Sequence, residues 1–329
     1  MSKLPGAETL RTALALATRA PSVHNTQPWR WRVGRSSLHL HADTSLQLPH
    51  TDPDSRDLII SCGAALHHCV VAFAALGWQS KVRRFPNPAD AGHLASIEVH
   101  RSRPVELDVA LAAAIPRRRT DRRLYSSWPV AHGDIALMGA RVARMGVTMR
   151  RVEDSVDLRD ALDRATHEHV DDEEYLAELA MWSGRHAAMA GVPAHSTPVP
   201  EPAARVPGRL FAASSLSQPP EAEAEADNGV MLALGTAEDD ELARLRAGEA
   251  TSLLLLTATA LGMATCPLTE VLEIKATRDD VRAEVFGVEA FPQMLIRVGW
   301  APINADPLPA TPRRPVQDVA TRLDGAPLW

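Results

Sequence analysis

Gly63-Ala64-Ala65 opens a run that closes nine residues later in Ala75-Leu76-Gly77, and Gly248-Glu249-Ala250 opens one that closes nine residues later in Ala260-Leu261-Gly262. Each run reads as a long helix with small residues along it, buried on most sides, so that a second helix can approach closely. Each ends in glycine, where a helix C-terminus takes a left-handed residue. Each follows a strand and a turn and leads to another apolar strand, 94–99 after the first run and 293–298 after the second. The match predicts a tandem duplication with halves at 1–115 and 116–329. The halves are expected to pack as an intramolecular pseudo-dimer, with the two buried helices near the pseudo-twofold axis. The period is far too long for a solenoid.

Outward from these helices the pattern alternates helix and strand. Residues 8–19 place Leu10, Ala13, Leu14 and Ala17 on one helical face, with Arg11, Thr12 and Arg19 turned away. Residues 29–33 and 38–41 alternate bulky and polar side chains around Gly34-Arg35-Ser36-Ser37, a hairpin signal. Thr51-Asp52-Pro53-Asp54 supplies capping side chains for the first long helix, 55–76. Strands are expected at 81–85, 147–152 and 230–234, and short helices at 107–115, 136–142 and 278–286. Residues 155–190 read as one acidic helix, on which His167 and His169 point to different faces and make a poor metal pair. Both are read as surface residues. Asp239 or Asp240 caps the second long helix, and 265–268 leads out of it.

The chain of 329 residues has 45% hydrophobic and 23% charged residues and a net charge of −6. It can bury a substantial core, and the mild acidity argues against non-specific nucleic-acid binding. Cys62, Cys69 and Cys266 are odd in number and scattered without a CxxC pair. That excludes a disulfide framework or structural zinc site and fits a reducing cytoplasm. The first six residues lack a signal architecture, and the apolar segments at 64–76 and 253–261 are short for a membrane span.

Three further stretches carry chemistry. Ala20-Pro21-Ser22-Val23-His24-Asn25-Thr26-Gln27-Pro28-Trp29 sits between a helix and a strand. Its two prolines bar a regular helix, and its polar side chains suit the polar edge of a planar heterocycle. On its own it reads first as a structural helix-to-strand connector with Trp29 buried. Arg117-Arg118-Arg119-Thr120-Asp121-Arg122-Arg123 puts five arginines in seven residues. That is a solvated basic loop or, because planar guanidiniums grip phosphate in bidentate fashion, an anion site. Residues 191–228 contain seven prolines and the acidic run Glu221-Ala222-Glu223-Ala224-Glu225-Ala226-Asp227. Loops of that length are uncommon inside a compact domain and usually serve as lids or binding loops, or are disordered.

Together these residues resemble the FMN-dependent nitroreductases, and more closely the fused, Acg-type branch of that superfamily. Pro21-Ser22-Val23-His24-Asn25-Thr26-Gln27-Pro28-Trp29 matches the PSxxNxQPW loop at every fixed position. Arg118-Arg119-Thr120-Asp121-Arg122 is similar to the RRSxR phosphate motif, with threonine in place of serine. Leu261-Gly262-Met263-Ala264-Thr265-Cys266-Pro267-Leu268 resembles the segment against the flavin ring, and Pro312-Arg313-Arg314-Pro315 the basic tail that closes on the phosphate. The likeness covers nearly the whole chain outside 191–228.

The resemblance implies an α+β fold: two nitroreductase-like α/β/α halves, each a mostly antiparallel sheet flanked by helices. It implies FMN held by Pro21, Ser22, Val23, His24, Asn25 and Gln27 from the first half. The second half would give Arg118, Arg119, Thr120, Arg122, Pro267, Leu268, Thr269, Arg313 and Arg314. The loop occurs only in the first half and the arginine motifs only in the second, so one FMN per chain is expected. The implied activity is ping-pong transfer from NAD(P)H through FMN to a nitroaromatic, quinone or other small acceptor, with no dedicated general base and no metal. The alternative is a lid-covered flavin-sequestering protein with little turnover, 191–228 being the lid. A nucleic-acid role built on 117–123 is disfavoured, since no aromatic residues interleave the arginines. The expected particle is a monomeric pseudo-dimer or a weak homo-oligomer, with no membrane or nucleic-acid partner.

Overall fold

The computed structural model describes residues 4–184, 188–201, 204, 208–219 and 223–329. The chain runs α1 (Ala7–Ala17), β1 (Trp29–Val33), β2 (Leu38–Ala42), α2 (Arg56–Ala75), β3 (Trp78–Arg84), β4 (His93–Arg101) and α3 (Glu106–Ala114). It continues α4 (His132–Ala143), β5 (Thr148–Val152), α5 (Val156–Asp171), α6 (Glu173–Met181), β6 (Val230–Thr236) and α7 (Glu241–Ala260). It closes with β7 (Ala264–Leu268), α8 (Glu270–Glu273), α9 (Lys275–Val281), β8 (Phe291–Gly299), α10 (Val316–Val319) and β9 (Ala320–Arg322). The strands form two sheets, ordered β3-β4-β2-β1-β9 and β5-β6-β8-β7. The α+β architecture expected from the sequence is present.

Each sheet follows from its alternation. On β1, Trp29 and Trp31 are fully buried while Arg30 and Arg32 face solvent, so one face joins the core and the other stays wet. β2 pairs antiparallel with β1 in the register Trp31↔Leu40. The exception to antiparallel pairing is β9, which the chain's last segment lays parallel to β1, with Trp31 opposite Ala320. The C-terminal segment therefore completes the sheet built by the N-terminal strands.

α2 and α7 cross at the centre. A Cβ on Gly63 would stand 2.1 Å from the Leu245 carbonyl oxygen, and one on Gly248 would stand 2.0 Å from the Ile60 carbonyl oxygen. The contact is reciprocal: Ile60 lies three residues before Gly63, as Leu245 does before Gly248. His67 Nδ1 meets its counterpart position, Ser252 Oγ, at 2.7 Å across an offset of 185 residues. Gly77 and Gly262 end the two helices at φ +82 and +91, the left-handed conformation that glycine adopts without a Cβ penalty. Across the interface Arg84 binds the buried Glu249 in bidentate fashion at 2.7 and 2.8 Å. α2 is long and apolar enough to cross a bilayer, which the sequence reading set aside. Its apolarity is accounted for by burial, since 83% of that window lies inside the protein.

Some expectations are corrected. The single helix over 155–190 is two helices, broken where Asp172 turns to cap α6 by accepting from Glu174 and Tyr175 amides; residues 185–187 lie outside the described residues. His169 is buried, not on the surface: it packs on Tyr175 with ring centroids 4.0 Å apart. Residues 264–268 form a strand rather than a mere exit from α7. The capping expected from 51–54 is present: Asp52, three residues before the Ser55 N-cap of α2, accepts from the Asp57 and Leu58 amides with its two carboxylate oxygens.

His67 carries a pH consequence. Burial holds its pKa down to about 4 from 6.5. A depressed histidine lends stability above its unfolded pKa and loses it as pH falls toward the folded value. The free-energy advantage of wild type over His67→Gln in urea unfolding should therefore shrink between about pH 6.5 and 4. Taking the difference removes the opposite trend from Asp52 and Asp57, buried carboxyls raised to about 7 and about 6. An advantage that stays level across that window would contradict the assignment.

Candidate functional site

A cavity of about 330 Å³ is lined by Pro21, Ser22, Val23 and His24 of the loop after α1, by Thr120 and Arg122, and by Pro267, Leu268 and Thr269 at the end of β7. These are nine of the residues expected from sequence, and the fold brings them to one hollow.

The loop after α1 is held in a costly shape. His24, Asn25 and Gln27 all lie in the left-handed region, at φ 42, 56 and 56, at about 1–3 kcal/mol each for residues with side chains. The surroundings fix it. Ser22 Oγ accepts from the Gln27 amide at 3.0 Å, and the Val23 amide donates to Ser61 Oγ at 3.0 Å. Asn25 and Gln27 are used as staples. Asn25 Nδ2 donates to the Gly191 and Pro312 carbonyls, and Gln27 Nε2 to Met189. Gln27 Oε1 accepts from the Arg314 amide at 2.8 Å. These two side chains lie outside the cavity lining and tie the loop to the base of the insertion and to the C-terminal tail.

The arginines divide into two groups. Arg118, Arg119 and Arg313 gather with Arg19, which the sequence reading had turned away from the core. Burial first, then Arg119, Arg19 and Arg122, lower the Arg118 pKa to about 10. Burial, then Arg118, Arg19 and Arg119, lower that of Arg313 to about 9. The Nε atoms of Arg19, Arg118 and Arg313 are buried and have no hydrogen-bond partner among the described residues. Asp121, the acid of the motif, is committed to Arg123 in a bidentate pair at 2.9 Å. Among the described residues no carboxylate forms an ion pair with Arg19, Arg118, Arg119 or Arg313. Buried like charges without a counter-charge are costly, so the group is complementary to a multiply charged anion. Arg122 stands apart: it stacks on Phe211 at 4.8 Å and lines the cavity. Arg314 is half-buried, and its backbone rather than its guanidinium makes the tightest contact.

Other lining residues gave no sequence signal. Asp57, Ile60, Ser61 and Ala64 form one face of α2 against the cavity. A helix buried all round shows no polar stripe, so nothing singled that face out. The insertion over 191–228 covers the hollow with Pro198, Val199, Arg209 and Phe211; residues 202–203, 205–207 and 220–222 of it lie outside the described residues. Arg209 donates to Glu273 Oε1 at 2.5 Å, to Thr269 Oγ1 at 3.3 Å and to His24 Nε2 at 2.5 Å. A guanidinium cannot accept, so His24 Nε2 is the acceptor and its proton sits on the buried, unpartnered Nδ1. Burial first, then Arg209 and Arg122, hold the His24 pKa well below 6.5, so the ring is neutral.

FMN, the cofactor implied by the sequence resemblance, can be tested against these residues. Its dianionic phosphate answers the unpaired arginines, and its planar ring needs an elongated hollow with unsatisfied donors such as His24 Nδ1. The residues present fit the group. Among the described residues no cluster suits a metal ion, and all three cysteines are free and buried.

Residues 151–300 match the sequence profile of the nitroreductase family. The chain is 62% identical over 315 residues to the Mycobacterium tuberculosis protein named "Putative NAD(P)H nitroreductase Rv3131", covering 96% of this chain and 92% of that one. It is 38% identical over 320 residues to "Putative NAD(P)H nitroreductase acg" of the same organism, covering 95% of each. Among solved structures, the Anabaena variabilis protein titled "putative nitroreductase" aligns over 92% of this chain and 90% of its own, at 10% identity and a TM-score of 0.45. By its identity to full-length relatives, the chain belongs to the nitroreductase family.

Proposed function

We propose that the protein is an FMN-dependent NAD(P)H oxidoreductase that passes electrons to a small acceptor, a nitroaromatic or a quinone, and holds one FMN per chain between halves 1–115 and 116–329. The observation that carries this reading is a group of four arginines, Arg118 buried and Arg19, Arg119 and Arg313 half-buried, with no ion-pair partner among the described residues, next to the cavity-lining Thr120. Arg118, Arg119 and Arg313, with Arg19, would hold the phosphate, each charge-assisted hydrogen bond contributing about 1.5–3 kcal/mol. Thr120 offers a hydroxyl beside them. Pro267, Leu268 and Thr269 would flank the ring, with Ser22 and Val23 approaching from the first half. His24 would present Nδ1–H to a ring heteroatom, and Arg122 places positive charge near it. FMN, when bound, supplies the two-electron chemistry, taking hydride from a reduced nicotinamide and passing it to the acceptor in a ping-pong cycle. The names of the M. tuberculosis relatives support the NAD(P)H assignment, and the free cysteines fit a reducing compartment. Anaerobic mixing of the yellow protein with NADH and with NADPH tests the activity. Bleaching within milliseconds to seconds is expected, and a flavin that stays oxidised contradicts it.

One observation favours a second reading, a covered flavin with little turnover. Arg209 latches the insertion over the cavity, joined to Glu273, Thr269 and His24. The latch predicts that Arg209→Gln speeds bleaching by NAD(P)H about 10- to 100-fold, the equivalent of charged hydrogen bonds worth about 1.5–3 kcal/mol. Equal stopped-flow rates for variant and wild type would show that the insertion does not gate access.

A further inference from the structure

The insertion carries Arg209 into a place built by other segments. Its guanidinium is buried, and its partners among the described residues all lie outside the insertion. Thr269 and Glu273 come from the start and end of α8, and His24 from the loop after α1. Glu270 Oε1 stands a further 3.8 Å from the Arg209 Nε. His24, Thr269 and Glu270 line the cavity beside Arg209. A planar cation is thus ringed by acceptors that stay behind if the insertion lifts, and such a ring suits a guanidinium or an amidinium alike.

The ring holds more than Arg209 satisfies. Glu270 and Glu273 lie three residues apart, with side chains 17% and 2% exposed. Burial pushes the Glu270 pKa up, Arg209 pulls it down and Glu273 raises it again, so Arg209 serves both carboxylates as counter-charge. Glu273 Oε2, His24 Nδ1 and the Tyr175 hydroxyl are buried without a hydrogen-bond partner among the described residues. The charges of Arg209, Glu273 and Glu270 all reach that hydroxyl. Withdrawing Arg209 would strand two carboxylates, which is costly in a buried place. A ligand that brings its own cation removes that cost and so favours the open position of the insertion. Leu158, Leu162 and Phe211 give the same cavity apolar walls, which suit an aromatic body behind the cation.

We propose that Glu270, Glu273, Thr269 and His24 form a subsite for a planar organic cation, an amidinium or guanidinium on an aromatic body, and that Arg209 occupies it as a stand-in until such a ligand enters. That this ligand is the electron acceptor rests on the FMN reading, with His24 Nε2 facing the cation and Nδ1 the flavin ring. The subsite itself does not depend on that reading.

The test is isothermal titration calorimetry of the full-length protein without NAD(P)H, with and without added FMN. The probes are para-nitrobenzamidine and its neutral counterpart of nearly equal shape, para-nitrobenzamide. Wild type should bind the amidine about 10-fold more tightly than the amide, and Arg209→Gln, which removes the competing cation, should widen the preference to about 100-fold. Glu273→Gln should abolish the preference. Glu270→Gln, at the more exposed carboxylate, should reduce it severalfold and serves if the Glu273 variant does not fold. Equal affinities in wild type, or a preference that appears only in Arg209→Gln, overturn the proposal and leave Arg209 a fixed structural cation. A preference untouched by both glutamate variants places the cation elsewhere and overturns it as well. Protein that prefers the amidine yet binds no FMN sustains the subsite and overturns the FMN reading alone.

Discussion

Arg118→Ala combined with Arg313→Ala is expected to leave the protein colourless after dialysis. Each guanidinium stands to contribute about 1.5–3 kcal/mol to an anionic ligand, so the pair together implies roughly 10²- to 10⁴-fold weaker binding. The stability of the apoprotein separates this from simple damage. Arg118 is buried and Arg313 half-buried among like charges, with lowered pKa values that record desolvation and the repulsion. Removing charges that lack a counter-charge should leave the apoprotein at least as stable as wild type, because such groups oppose folding. Arg123→Ala is the contrast. It leaves the buried Asp121 without its bidentate partner, and breaking a buried pair costs about 3–5 kcal/mol. Thermal melts and flavin retention measured side by side should therefore move in opposite directions for the two sets. A double variant that stays yellow would remove Arg118 and Arg313 from the site.

Gly63→Ala should be among the most destabilising single-methyl changes available to the chain. The added Cβ would lie 2.1 Å from the Leu245 carbonyl oxygen and 3.0 Å from Gly248 Cα. Both obstacles are backbone of α7, so relief requires one central helix to move against the other. Overpacking of a rigid core typically costs about 1–3 kcal/mol and occasionally more, and this position belongs at the upper end. Gly248→Ala meets the Ile60 carbonyl oxygen at 2.0 Å and should cost a similar amount. Gly133→Ala, in the exposed first turn of α4 with nothing within 4 Å, should be neutral or stabilising by about 0.5–1 kcal/mol. Urea unfolding of the three variants checks the ranking. Because α2 lines the cavity through Asp57, Ile60, Ser61 and Ala64, the two central variants should also loosen flavin binding.

How much of this was legible in the sequence depends on how local each signal is. The helix pair could be read because small residues and terminal glycines fall at matched spacing, and Gly63 meeting Gly248 is the physical reason for that spacing. The loop at 21–29 could be read as a site only beside the arginines, since its side chains divide between cavity and stapling roles. Strand β9 was not legible. Ala320-Thr321-Arg322 is three residues long and takes its conformation from β1, to which it pairs from far away in sequence. Arg19 looked like a solvent-facing helix residue, yet α1 ends at Ala17 and the chain turns Arg19 inward. The break at Asp172 hid inside an acidic run in which every residue could be surface or cap. Arg209 sat in a proline-rich insertion with no periodicity to orient it, and its role appears only when Glu273 and His24 are seen on either side.

The central claim is that one flavin is gripped between two unequal halves. Its most direct test is the amount of FMN released from denatured, FMN-saturated full-length protein against protein measured by amino-acid analysis. One FMN per chain is predicted, whereas two per chain would mean that the symmetry-related site survives and would contradict the account.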